Sequence, residues 1–271
     1  MPVNFTIPEL GNKFQDYRQD IPGDSFNWGP VIQANKVKYF ALHHSVTAQT
    51  AKNDGNWKKE CDLIANLHIN QGWGGVGYRF IICSDGTVAY VGDLSHGGSA
   101  VTGNNDTIFS ACFVGDFTKE LPTAAQVHSA HILSNHIINN MPQYPLIAGW
   151  DNLIGHKDAK ALLNLPGATA TACPGTNWRD ANDPLRGRVI SDNFNGYPNP
   201  QPVGIPVPPQ ESVESLKKKI EEQQVAISTL NTTLINEVNN RKSLANQALQ
   251  QLSEANQKLL VVAETIKKLN S

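Results

Sequence analysis

The chain has 271 residues, of which 40% are hydrophobic and 17% charged, and a formal net charge of -2 at pH 7. That is enough apolar material for one large soluble domain or two modest ones, and the near-neutral balance gives no global reason to expect nucleic acid or an anionic membrane as partner. No run of about 18 apolar residues occurs, and the first residues lack the basic head and apolar stretch of a secretory signal, so the expectation is a soluble product made in the cytoplasm without membrane insertion.

In chain order, the first 30 residues, including the aromatic cluster FNWGP, are expected to pack on the core. VKYFALHHS is apolar on both faces, which suits a central strand buried between layers. A strand sends successive side chains to opposite faces, so His43 and His44 cannot both enter one site. NWKKECDLIANLHINQ repeats Trp57, Cys61, Ile64, Ala65 and His68 at helical spacing. GYRFIICSDGTVAYVGD reads as two strands joined by an Asp85-Gly86 hairpin turn. SACFVGDF supplies another strand, and LPTAAQVHSAHILSNHIINNM a second helix with Thr123 as N-cap. The last strand-like piece, YPLIAGWDNLIGHKDA, delivers His156 to a loop. The fold class is α/β: a mixed central sheet with helices packed on it. Of the four cysteines, Cys61, Cys83 and Cys112 read as buried thiols, and none of the spacings is that of a disulfide framework or a C-x-x-C knuckle.

The sharpest break in composition is YPNPQPVGIPVPPQ, too dense in proline for a helix or a central strand. It divides the chain into a domain over 1–194, a Pro-rich linker over 195–210 and a tail over 211–271 that contains no Gly, Pro, Trp, Tyr, Phe or Cys. In the tail Val213, Leu216, Ile220, Ile227, Leu230 and Leu234 follow heptad steps, and a second series continues through Leu252, Leu259 and Ile266 after a stutter-like shift of frame. The expectation is a C-terminal coiled-coil helix that makes the chain a homo-oligomer or docks to another coiled coil; the alternative is a helical hairpin bending near LNTTLINEVNN. Joining several copies of the first domain would multiply the contacts each particle makes.

Three segments carry metal-donor residue types: HHS at 43–45, GHKD at 155–158 and TACPG at 171–175. Two imidazoles and a thiolate suit zinc, and three protein ligands with an open fourth position make a hydrolytic site rather than a structural one. FALHHSVT, QGWGGVGYRFIICSDGTV, SACFVGDF, GHKDA and TACPG, in that order, resemble the motifs of the zinc-dependent N-acetylmuramoyl-L-alanine amidases of phage lysins, which share a fold with peptidoglycan recognition proteins. The resemblance leaves the tail uncovered.

That resemblance implies a Zn²⁺ site made by His43, His156 and Cys173, with His44 turned away. It implies that Tyr78 hydrogen-bonds the attacking water or the developing oxyanion, and that the Thr171 hydroxyl donates to the scissile carbonyl. Where some relatives carry a glutamate this chain has Cys112, so no strong carboxylate base is evident; Asp158 is a nearby candidate, and its other identity is a surface loop carboxylate. The connection KDAKALLNLPGATATA is longer than in many relatives, which bears on substrate preference. His128, His131 and His136 read as polar helix-surface residues, His68 as packed, and no role is carried over to His96. The implied activity is hydrolysis of the amide between N-acetylmuramic acid and L-alanine in cell-wall peptidoglycan, in a phage or prophage endolysin reaching the wall after membrane permeabilisation. The alternative is a recognition module that binds peptidoglycan without cutting it.

Overall fold

The computed structural model describes residues 4–179 and 184–195 and, in the tail, 229, 241–243, 247, 249–259 and 266–267. The chain divides into two units, Met1–Ile205 and Pro206–Ser271. Apart from Asn195, the expected linker lies outside the described residues, as does the first heptad series. The described tail residues are helical, and Leu252, Leu259 and Ile266 are exposed there. Among the described residues no helix is long and apolar enough to cross a membrane.

The first unit is built on a six-stranded sheet. Its strands are β1 (Phe14–Asp16), β2 (Tyr39–His44), β3 (Phe80–Ile82), β4 (Val88–Tyr90), β5 (Ile108–Phe113) and β6 (Leu153–Gly155), in the order β1-β4-β3-β5-β2-β6. Only the β3–β4 pair is antiparallel. Its connection carries Gly86 at φ 86°, and Asp85 accepts from the Thr87 amide, so the expected hairpin forms where an Asp-Gly pair allows the backbone to turn. Every residue of β2 and β5 is buried, as strands covered on both faces require.

The helices are α1 (Ala51–Asp54), α2 (Trp57–Asn70), α3 (Ala124–Asn139), α4 (His156–Ala161) and α5 (Leu185–Ser191). Strand alternation sorts the core between two faces. Phe40, Leu42, Phe80, Ile82, Phe109, Ala111 and Phe113 pack with Val127, Leu133 and Ile137 of α3. On the opposite face Ile81, Cys83 and Ala89 meet Cys61, Ile64 and Ala65 of α2, while Tyr39, Ala41, Ile108 and Ile154 meet Ala159 of α4. Each fully buried Leu, Ile or Phe stabilises by roughly 1.5–3 kcal/mol. Thr123 caps α3 in a reciprocal box with Gln126: the Gln126 amide donates to Thr123 Oγ1 at 3.1 Å and the Thr123 amide to Gln126 Oε1 at 2.9 Å.

The N-terminal segment packs on the core, with Phe5, Ile7 and Leu10 entering it beside α3. Two details depart from the sequence expectation. Residues 14–16 form an edge strand pairing with β4. His156 does not sit in a loop: it is the first residue of α4, directly after β6. All four cysteines are free and buried.

Candidate metal centre

One parallel pairing brings two of the donors together at the carboxyl ends of the strands. In the β2–β6 register Leu42 lies opposite Gly155, so the next residue of each strand direction is a histidine, His43 and His156. Their ring centroids are 4.6 Å apart. Cys173 arrives from the turn after α4, and the Lys157 amide donates to its carbonyl at 2.7 Å, fastening that turn to the start of α4. Gly155 is required here. A Cβ on it would fall 2.5 Å from Trp178 Nε1 and 2.7 Å from Pro174 Cδ.

Donor atoms of His43, His156 and Cys173 all lie within 4.8 Å of one another. His43 Nδ1 is 3.6 Å from Cys173 Sγ, and His43 Nε2 is buried with no hydrogen-bond partner. Burial holds the His43 imidazole well below its ordinary pKa, with His156, His44 and His68 adding to the effect, and burial also lowers His156. Both rings are therefore neutral at pH 7 and offer lone pairs. Burial pushes the Cys173 thiol up to about 12, opposed by the His44 amide, which donates to Sγ at 3.3 Å. A buried sulfur, the His43 Nδ1 turned toward it and a second neutral imidazole are donors that a bound cation would satisfy, and this His₂Cys set fits zinc.

His44 faces the other side of the sheet. Its Nδ1 accepts from the Phe117 amide at 3.0 Å and its ring lies 6.0 Å from that of Phe117. Tyr78 lies with its ring 5.0 Å from that of His43, and burial followed by the nearby Cys112 and Cys173 sulfurs pushes its phenol well above the ordinary value, so the hydroxyl keeps its proton. Thr171 Oγ1 accepts from the Cys173 amide at 3.1 Å, which leaves its O–H free to donate.

Asp158 is neither a surface carboxylate nor a free base. It is 3% exposed and accepts from the Gly155 amide at 2.9 Å, Trp178 Nε1 at 2.7 Å and Arg179 Nε at 2.9 Å. Three hydrogen bonds hold this buried carboxylate in the fold, which makes it a structural group rather than a base. His68 is closer to the site than its helical position indicated: its ring is 5.4 Å from that of Tyr78, and its Nδ1 accepts from the Gly77 amide at 3.2 Å. The one sequence signal for it was its place on the apolar stripe of α2. The other histidines lie elsewhere: His128 Nδ1 is 3.0 Å from Asp192, His131 Nδ1 is 2.9 Å from the Val189 carbonyl, and His136 packs edge-on against Phe5.

The N-acetylmuramoyl-L-alanine amidase family matches residues 33–176, more than half of the chain. The peptidoglycan-recognition protein SC2 of Drosophila melanogaster is 28% identical over 153 residues, covering 54% of this chain and 73% of that protein. An endolysin of Klebsiella phage KP32 is 48% identical over 52 residues, 19% of this chain and 34% of the endolysin. Among solved structures, the N-acetylmuramoyl-L-alanine amidase LysC from Clostridium intestinale is similar at 25% identity and a TM-score of 0.43, over 61% of this chain and 91% of that one.

Proposed function

The chain belongs to the N-acetylmuramoyl-L-alanine amidase family, and from that premise we propose that it is a zinc-dependent hydrolase cutting the amide between N-acetylmuramic acid and L-alanine in peptidoglycan. The observation that carries this reading is the convergence of His43, His156 and Cys173 within 4.8 Å, beside Tyr78. Zinc held by these three residues would supply a Lewis acid that polarises the amide carbonyl and acidifies water at neutral pH. The protein's own groups do the rest. The buried strand end of β2 excludes bulk water from one side of the donors. Tyr78, protonated at neutral pH, donates to the oxygen on which negative charge develops, and the Thr171 hydroxyl donates to the same carbonyl. The general base is not assigned to Asp158, which three hydrogen bonds hold in the fold.

The rival reading, binding without cutting, draws on the peptidoglycan-recognition relatives. The complete donor set together with Tyr78 favours hydrolysis. Purified peptidoglycan digested with the protein, with chelator and then with zinc restored, separates the two. New L-alanine amino termini that vanish with chelator and return with zinc are expected; wall binding with no new termini would favour the rival, and new reducing sugar ends would mean a different bond is cut.

The phage-endolysin likeness supports a lytic role, with the enzyme reaching the wall after the membrane is permeabilised. We further propose the organisation 1–194 catalytic, 195–210 linker and 211–271 self-associating coiled coil, supported by the exposure of Leu252, Leu259 and Ile266 at seven-residue intervals. Light scattering on the full chain checks this: the mass of a single chain would remove the oligomer.

A further inference from the structure

We propose that Asp158 is the positioning residue of the metal centre, setting the distance between the His156 and Cys173 donors; this rests on the metal reading above. The carboxylate joins the two donor-bearing segments. Oδ2 accepts from the Gly155 amide, one residue before His156, and from Trp178 Nε1, five residues after Cys173. Oδ1 accepts from Arg179 Nε. All three partners are donors, so the site requires an acceptor-only group, which a carboxylate is and an amide is not. The Trp178 side chain is fully buried and packs over Gly155, so the indole and the carboxylate together fix where β6 ends and where the chain leaves the turn bearing Cys173. Strand pairing with β2 fixes only one side of His156. The other side is set by Asp158.

The test is zinc affinity of the full chain, by competition with a chromophoric chelator, and the sulfur-to-metal charge-transfer absorption of the cobalt-substituted protein, for wild type and Asp158→Asn. The amide keeps the size but turns an NH₂ toward one of the donors. Zinc affinity should fall by about tenfold or more, as losses around metal ligands commonly do, and the cobalt band should shift or weaken. Glu60→Gln is the control. Glu60 is as buried and accepts from the Thr50, Ala51 and Ser84 amides, away from the donors, so its variant should lower the melting temperature and leave zinc affinity unchanged. Asp158→Asn with zinc affinity within twofold of wild type and an unaltered cobalt spectrum would overturn the proposal. If that variant does not fold, Trp178→Phe decides, since it removes one donor and keeps the carboxylate: weakened zinc binding supports the proposal and unchanged binding overturns it. A wild-type protein that binds no zinc would instead remove the metal reading on which the proposal rests.

Discussion

His43 and His44 are neighbours of the same residue type at the end of one strand, yet they occupy two different regions of the molecule. On the His43 face the ring meets His156, Tyr78 and the Cys173 sulfur, and its Nε2 has no partner. On the His44 face the ring nitrogen is already satisfied by the Phe117 amide. Both imidazoles are buried and both have lowered pKa values, so neither burial nor titration distinguishes a ligand from a packing residue here. The neighbouring donors do. On the His43 face three donor atoms lie within 4.8 Å of one another, whereas the His44 nitrogen is spent on a backbone amide.

The largest expected effects test that asymmetry directly. Cys173→Ser and His43→Ala should each abolish zinc binding and lower amidase activity by about 10³-fold or more, because the proposed chemistry depends on the metal's acidification of water. Wall-hydrolysis assays beside zinc titration check this. Full activity in either variant would break the distinction between the two faces. Tyr78→Phe stands next. It removes one donor to a developing oxyanion, so kcat should fall by about 10²–10³-fold while zinc affinity holds.

His44→Ala predicts a different kind of loss. The Phe117 amide would lose its acceptor in a buried setting, costing about 1–3 kcal/mol of stability. Zinc affinity should be far less affected than in His43→Ala. His44→Asn, whose side-chain oxygen can stand near the position of Nδ1, should recover most of that stability. Denaturant unfolding and zinc titration of the same samples check the contrast, and a His44→Ala protein that is stable but metal-free would reverse the assignment of the two histidines.

Much of this was legible in the sequence because strand alternation is a strict period. The all-apolar run before His43 announced a buried strand, and alternation alone required the two histidines to part. Thr123 announced the start of α3 as an N-cap, and Asp85-Gly86 the β3–β4 hairpin. What sequence missed was tertiary. The three-residue strand at 14–16 is too short to show a period and exists because β4 offers an edge. Asp158 looked like a loop carboxylate because its partners Trp178 and Arg179 lie 20 residues or more away in the chain, and no local pattern links them. The tail illustrates the converse. Its heptad spacing is clear, but a period reports which residues share a helix face and leaves open what covers that face.

The smallest expected effect concerns His68, which borders the His43 face through Tyr78. Burial lowers its pKa to about 4, against an ordinary value of 6.5, so between those limits the unfolded chain holds a proton that the folded chain does not. Stability therefore rises with pH across this window: the contribution is complete above pH 6.5 and is lost as pH falls toward 4. The lowered carboxylates Asp16, Asp24 and Asp116 start from 3.8 and act below it, so they leave this window to the histidines. In metal-free protein, His68→Asn should keep an acceptor for the Gly77 amide while removing up to one proton from the difference. The slope of unfolding free energy between pH 4.5 and 6 should flatten by up to about 1.4 kcal/mol per pH unit. The remaining slope belongs to the other histidines that burial holds neutral, His43, His44, His136 and His156. An unchanged slope would mean that the His68 ring is open to water, and its contact with Tyr78 would then be too loose to order the phenol.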